Sequence, residues 1–270
     1  MKSACRAATL AGKTLGLVPT MGALHEGHLS LVRESRAQCE VTAVSIFVNP
    51  LQFGPNEDLE KYPRSLERDY EMLRGLGADI LFVPSVAEMY PPGAKTIVDV
   101  IDLSSKLDGG SRPGHFRGVA TVVCKLFEIV RPDRAYFGQK DAAQVALLRK
   151  MARDLDLDVE IVVCPIVREA DGLAMSSRNA YLTPQQRQQA LVLSRSLKQV
   201  TAAFAGGETD ARKLIEIGSR SIAAEPAARL DYYVVVDPDT LEPRTQATRG
   251  TLVAVAAWVG TTRLIDNTVL

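Results

Sequence analysis

Apolar residues along the first two thirds of the chain fall into two alternating patterns. Short β-rich runs at 15–18, 41–48, 79–83, 134–137 and 159–163 predict strands. Between them, apolar positions recur at helical spacing over 28–38, 65–76, 119–130 and 141–155, and a further short helix is expected over 3–11. The 41–48 run is continuously β-rich, as expected of a strand buried on both faces of a parallel sheet. Residues 84–117 are rich in Pro, Gly and Ser, with a strand expected near 96–100. Strands alternating with helices predict an α/β fold with a Rossmann-like, parallel, doubly wound sheet. Ligands in such sheets gather beyond the carboxyl ends of the strands. That singles out the loops at 19–28, 49–54, 138–141 and from 164 onward.

After residue 167 the pattern changes. A polar loop over 168–178 leads to Thr183-Pro184, an N-cap followed by proline at the first helical position. The helix it opens runs to about 205, Gly206-Gly207 ends it, and a second helix is expected over 210–223. Strands at 230–236 and 251–259 follow, then Arg263-Leu-Ile-Asp-Asn267. Helices followed by strands predict a smaller α+β domain at the C-terminus. The expected division is therefore 1–166 and 167–270.

Composition narrows the function classes. The 32 basic residues balance the 32 acidic ones, which argues against a nucleic-acid partner drawn in by a basic field. Cys5, Cys39, Cys124 and Cys164 are scattered without a C-x-x-C pair, as expected of reduced thiols in a cytoplasmic protein. Neither a targeting segment nor a membrane span is legible, and no membrane partner is expected.

The first chemical signal is the turn after the first predicted strand, Met21-Gly-Ala-Leu-His-Glu-Gly-His28. A glycine-containing turn entering a helix predicts an anion site, because unpaired backbone N–H groups and the helix dipole face the ligand. His25 and His28, two of only three histidines in the chain, are expected on one face of that helix. Their spacing excludes the zinc-protease motif, and the pair lacks a third metal ligand. Alone, such a pair is more often solvated than functional. Its company is what gives it weight. Gly138-Gln-Lys-Asp141, at a strand end and helix start, brings N–H groups and a lysine to phosphates. It is not a Walker A loop. Met175-Ser-Ser-Arg178 puts two hydroxyls and a guanidinium on a loop that can close over a triphosphate.

Five segments together are specific: Pro19 to His28, Ser45-Ile-Phe-Val-Asn-Pro-Leu-Gln-Phe53, Arg112-Pro-Gly-His-Phe-Arg-Gly118, Gly138 to Asp141 and Asp171-Gly-Leu-Ala-Met-Ser-Ser-Arg-Asn179. In this order, over essentially the whole chain, they resemble the pantoate–β-alanine ligase (pantothenate synthetase) family. The His-x-Gly-His element marks the wider nucleotidylyltransferase superfamily.

The resemblance implies a ligase that adenylates pantoate with Mg-ATP and then transfers the acyl group to β-alanine. It implies that His25 and His28 contact the phosphates, with His28 the proton donor, and that Lys140, Ser176, Ser177 and Arg178 neutralise them. ATP would be enclosed by Met21, Gly22, Ala23, Leu24, His25, Glu26, Gly27 and His28. Gly138, Gln139, Lys140, Asp141, Val167, Met175, Ser176, Ser177 and Arg178 complete that set, with Gly138 and Asp141 at the ribose and the Val167 backbone at adenine. Gln52 and Gln144 would take pantoate, and Gln52 β-alanine as well. Mg²⁺ would be held by phosphates and water rather than a protein cage, the C-terminal domain would act as a lid, and the chain would form a homodimer. His115 is placed behind the site. Three departures stand out: Gln139 replaces the family's usual glutamate, Ala142 and Ala143 replace larger residues, and an initial strand is missing. The rival readings are a cofactor adenylyltransferase and a non-catalytic nucleotide-binding relative.

Overall fold

The computed structural model describes residues 1–55, 57 and 59–270. Elements α1 (Lys2–Leu10), β1 (Leu15–Thr20), α2 (Glu26–Gln38), β2 (Val41–Ile46), α3 (Leu66–Gly75) and β3 (Ile80–Phe82) come first. Next are α4 (Val86–Met89), α5 (Asp108–Ser111), α6 (His115–Val130), β4 (Arg134–Gly138), α7 (Ala142–Asp154) and β5 (Glu160–Cys164). The remainder is α8 (Pro184–Ala190), α9 (Val192–Ala205), α10 (Ala211–Ala223), β6 (Ala228–Val236), β7 (Leu252–Val259) and β8 (Thr262–Val269).

The chain divides into two compact units, one of Met1–Gly138 with Gln144–Pro165, the other of Gln139–Ala143 with Ile166–Leu270. The first unit is built on a five-stranded sheet of order β3-β2-β1-β4-β5. Every strand pair in it is parallel. All of β2 and nearly all of β1 are buried, as strands covered on both faces must be, and their apolar area stabilises the sheet. Val18, Leu31, Val32, Val44, Leu73 and Tyr136 form part of its core. Proline in a central strand removes a ladder donor, and the consequence is visible here. β1 pairs with β4 only through Gly16 and Leu17, and the two strands part before Pro19. The sheet therefore opens at the carboxyl end of β1, where the strand order reverses.

The second unit is α+β. Its sheet is antiparallel, of order β6-β7-β8, and α9 and α10 cover it. Leu193, Leu197, Leu214, Ile222, Val253 and Val255 contribute to the core between them.

Several expectations change. No strand forms near 96–100; the Val98 N–H donates instead to the Thr121 hydroxyl on α6 at 3.0 Å, and Ile97 stays exposed. α6 starts at His115, four residues earlier than its apolar pattern, because left-handed Gly114 turns the chain into it. The helix expected from 184 to 205 is two helices, divided at Leu191. Residues 139–141 form a 3₁₀ turn ahead of α7.

Candidate active site

The turn after β1 departs from the simple anion-site expectation. Its backbone N–H groups have acceptors within the protein. Gly22 N–H donates to Thr20 Oγ1 at 3.2 Å, and Ala23 and Leu24 donate to the two carboxylate oxygens of Asp69 at 2.8 and 2.9 Å. Two consecutive positive φ angles, 82° at Gly22 and 50° at Ala23, make that convergence possible. A Cβ at Gly22 would also meet Ile46 Cγ2 at 3.0 Å. Asp69 lies in the first turn of α3 and is buried, yet nothing in its local sequence marks it.

His25 is the N-cap of α2, and His28 is the third helical residue. Gly27 N–H donates to His25 Nδ1 at 3.2 Å, and His25 N–H donates to His28 Nδ1 at 3.3 Å. This is a capping box with imidazoles in place of the usual hydroxyl and carboxylate. An Nδ1 that accepts leaves the ring proton on Nε2 in the neutral imidazole. Both rings thus carry their donor on the edge away from the backbone, 4.1 Å apart between centroids. The Glu26 carboxylate pairs with Arg33 on the same helix.

Gln52 ends the 3₁₀ turn Pro50–Gln52 after β2 and is buried. Its Nε2 donates to Met21 Sδ at 3.0 Å, and its Oε1 accepts from Asn49 at 3.1 Å. Each contact uses half of that end's hydrogen-bonding capacity. Asn49, almost fully buried, also donates to the Gly118 carbonyl at 3.0 Å and accepts from Tyr90 Oη at 2.8 Å. At Gly118 a Cβ would sit 2.3 Å from the Leu51 carbonyl oxygen, so only glycine lets α6 approach this turn.

Behind Gln52 stands the Arg112-Pro-Gly-His115 segment. His115 Nδ1–H donates to the Gln52 carbonyl at 2.9 Å, and Arg112 donates to His115 Nε2 at 2.9 Å, which requires the neutral ring. Arg112 also forks onto Glu57 at 2.8 and 2.6 Å. Burial, then the Arg112 charge, push the His115 pKa down from 6.5 to about 4, against opposing help from the Gln52 carbonyl, Asp108 and Glu57. The Glu57 carboxyl lies below its ordinary value; burial would raise it, but hydrogen bonds and charge from Arg112 outweigh that. Both ring nitrogens of His115 are thus committed within the protein, one to the Gln52 carbonyl and one to Arg112. Gln144, on the first turn of α7, is half-buried.

In the second unit, Lys140 and Asp141 lie 3.5 Å apart in the Gln139–Asp141 turn. Gln139 donates to Asn267 Oδ1 at 3.0 Å. Ala142 and Ala143 are buried, so larger side chains there would need a different packing. Val167 accepts from Met175 N–H at 3.0 Å, closing the 168–174 hairpin. Ser176 caps the Ser177–Tyr181 turn by accepting from Arg178 N–H at 3.3 Å. Arg187 ties down both Glu169 and Asp171 at 2.7 Å. The loop that carries Ser176, Ser177 and Arg178 is thus anchored through its base.

Comparison with known proteins places this architecture. The sequence profile described as Pantoate-beta-alanine ligase matches residues 1–269. A pantothenate synthetase of Acidobacterium capsulatum is 63% identical over 96% of this chain and 86% of its own length. One from Thermotoga neapolitana is 60% identical over 96% of this chain and 92% of its own. The crystal structure of pantothenate synthetase from Thermus thermophilus superposes with a TM-score of 0.94 at 47% identity, covering 99% of this chain and 97% of that one. The pantoate–β-alanine ligase of Francisella tularensis, solved with β-γ ATP and β-alanine, superposes at 0.79 with 34% identity over 98% and 93%. With a profile match over nearly every residue and relatives this similar, the chain belongs to the pantoate–β-alanine ligase family.

Proposed function

We propose that the chain condenses pantoate with β-alanine at the expense of ATP, through a pantoyl adenylate, releasing pyrophosphate and then AMP. The observation that carries this reading is the reciprocal capping of His25 and His28, which fixes two Nε2–H donors side by side at a helix start. In the first step a pantoate carboxylate oxygen attacks the α-phosphorus, and the bond to the bridging oxygen of pyrophosphate breaks. Negative charge grows on that leaving oxygen, and preorganised donors lower the barrier most where charge develops. The His28 Nε2–H, the proton donor of this site, donates its hydrogen bond to that oxygen, His25 holds the phosphates, and Lys140, Ser176, Ser177 and Arg178 neutralise the rest. No side chain acts as nucleophile, so positioning and charge carry the step. In the second step the β-alanine amine attacks the acyl carbon and AMP leaves.

The remaining assignments follow the same division. Met21, Gly22, Ala23, Leu24, Glu26 and Gly27 line the nucleotide with the histidines. Gly138, Gln139 and Asp141 take the ribose side, Val167 and Met175 the adenine side. Gln52 and Gln144 hold pantoate, and Gln52 receives β-alanine. Mg²⁺ would enter with the triphosphate and be held largely by phosphates and water, since among the described residues no His, Cys, Asp and Glu side chains gather into a metal cage. Residues 1–166 form the ATP- and pantoate-binding domain and 167–270 the lid domain of a cytoplasmic homodimer. Among the described residues, no helix is long and apolar enough to cross a membrane.

The test is pyrophosphate release from ATP with and without pantoate, followed by AMP release on adding β-alanine. Pantoate-dependent pyrophosphate and β-alanine-dependent AMP are expected. ATP binding with no pantoate-dependent pyrophosphate would overturn the reading in favour of a non-catalytic nucleotide-binding relative.

A further inference from the structure

Two polar residues sit at the wrong place for an ordinary strand. Asp266 and Asn267 are each only 3% exposed in β8, paired in register with Val255 and Ala254 of β7. Burying a carboxylate and an amide in an apolar sheet is costly unless each atom finds a partner. They do, and the partners are informative.

Asn267 Nδ2 donates to the backbone carbonyls of both Gln139 and Lys140 at 2.9 Å. Its Oδ1 accepts from the Gln139 side chain. One buried side chain thus fixes the main chain on which Lys140 stands. Asp266 takes a two-pronged ion pair from Arg168 at 2.7 and 2.8 Å and also accepts the Asn267 N–H at 2.8 Å. Arg168 in turn donates to the Gly172 carbonyl at 3.1 Å, bracing the hairpin that leads into Met175-Ser-Ser-Arg178. β8 packs against both the 139–141 turn and the Ser177–Tyr181 turn.

We infer that Asp266 and Asn267 are positioning residues for the phosphate-neutralising groups: Asn267 sets Lys140, and Asp266, through Arg168, sets the loop of Ser176, Ser177 and Arg178. The inference deepens the proposed function and rests on its assignment of these groups to the phosphates. It also gives Gln139 a purpose. An amide at 139 can donate to Asn267 Oδ1, leaving Nδ2 committed to the two carbonyls, whereas an ionised carboxylate there could only accept.

The experiment titrates ATP and AMP into the wild-type protein and into Asn267→Asp, which keeps the shape and replaces the donor with an acceptor facing two carbonyls. ATP affinity is expected to fall about tenfold, as for a displacement of an ångström or less in a charged group, and AMP affinity, which meets only the ribose contacts of the same turn, to fall by less, about threefold. In parallel, pantoate-dependent pyrophosphate release should fall about tenfold, and amide formation from supplied pantoyl adenylate should not change by more than about twofold. Asp266→Asn, which keeps the shape and turns one arm of the Arg168 fork into a donor facing a donor, should show the same pattern, and it decides the matter if Asn267→Asp does not fold. Equal weakening of ATP and AMP, equal loss in both half-reactions, or unchanged ATP affinity would overturn the inference. Wild-type protein that binds ATP yet releases no pyrophosphate would sink the ligase reading instead, leaving this inference to the ATP-to-AMP affinity ratio.

Discussion

His115 should make the protein lose stability as the solution is acidified, by an amount that one substitution removes. Its Nε2 faces Arg112 and its Nδ1–H is committed to the Gln52 carbonyl, so a second ring proton has nowhere favourable to go. Burial and the guanidinium hold its pKa near 4 rather than 6.5. Between those values the unfolded chain takes up a proton that the folded chain refuses. The unfolded state then binds more protons, so stability rises with pH across this window and is lost as pH falls through it. At about 1.4 kcal/mol per tenfold difference in proton affinity, the full effect is about 3 kcal/mol. Urea unfolding at pH 7.0 and 4.5 should be compared for wild type and His115→Gln, which cannot titrate. At pH 7 the variant should be weaker by about 1–2 kcal/mol, the worth of two hydrogen bonds. At the acidic end that gap should close or reverse, because only the wild type suffers the proton penalty. Carboxylates common to both proteins cancel in the comparison. Parallel pH curves, or a His115 ring resonance that titrates near 6.5, would refute the reasoning.

Two other perturbations address the turns that carry the site. Gly118→Ala forces a methyl against the Leu51 carbonyl, at an overpacking cost of about 1–3 kcal/mol. The KM for pantoate should rise about tenfold as Gln52 moves, with ATP affinity little changed; an unaltered KM would show that the 50–52 turn does not place pantoate. Asp69→Ala strips the acceptor from the Ala23 and Leu24 amides, each worth about 1–3 kcal/mol when buried unpaired. Pantoate-dependent pyrophosphate release should fall at least tenfold, and Asp69→Asn, with one carbonyl oxygen left, should recover part of it; full activity in the alanine variant would exclude Asp69 from shaping the histidine turn.

Much of the α/β plan was legible because parallel strands buried on both faces write continuous β-rich runs without charged residues, as in Val41–Ile46. The motif residues themselves were legible too. What escaped was every support that comes from far along the chain. Asp69 reads as an ordinary acid in a first helical turn, and its role depends on amides 45 and 46 residues away. The 96–100 run looked like a strand because apolar pattern says nothing about where backbone donors go, and here Thr121 takes one. Asp266 and Asn267 did leave a trace, since Asp and Asn are depleted in strands, and a pair of them in an apolar strand asks for partners.

The clasp of Asp69 on the histidine turn bears on when the protein becomes chemically competent during folding. Residues Leu15 to Gln38 contain the strand, the turn and the helix, yet the acceptor that orders Ala23 and Leu24 resides on α3. Closing that loop has to precede the gain from the contact, so the turn acquires its shape only after the β1–β2 pair has formed and α3 has docked. A peptide excised around the two histidines would carry the signature without the Asp69 carboxylate that orders Ala23 and Leu24. Nucleotide affinity, followed during refolding, would then serve as a clock for tertiary assembly of the whole β1–α3 segment rather than for its local secondary structure.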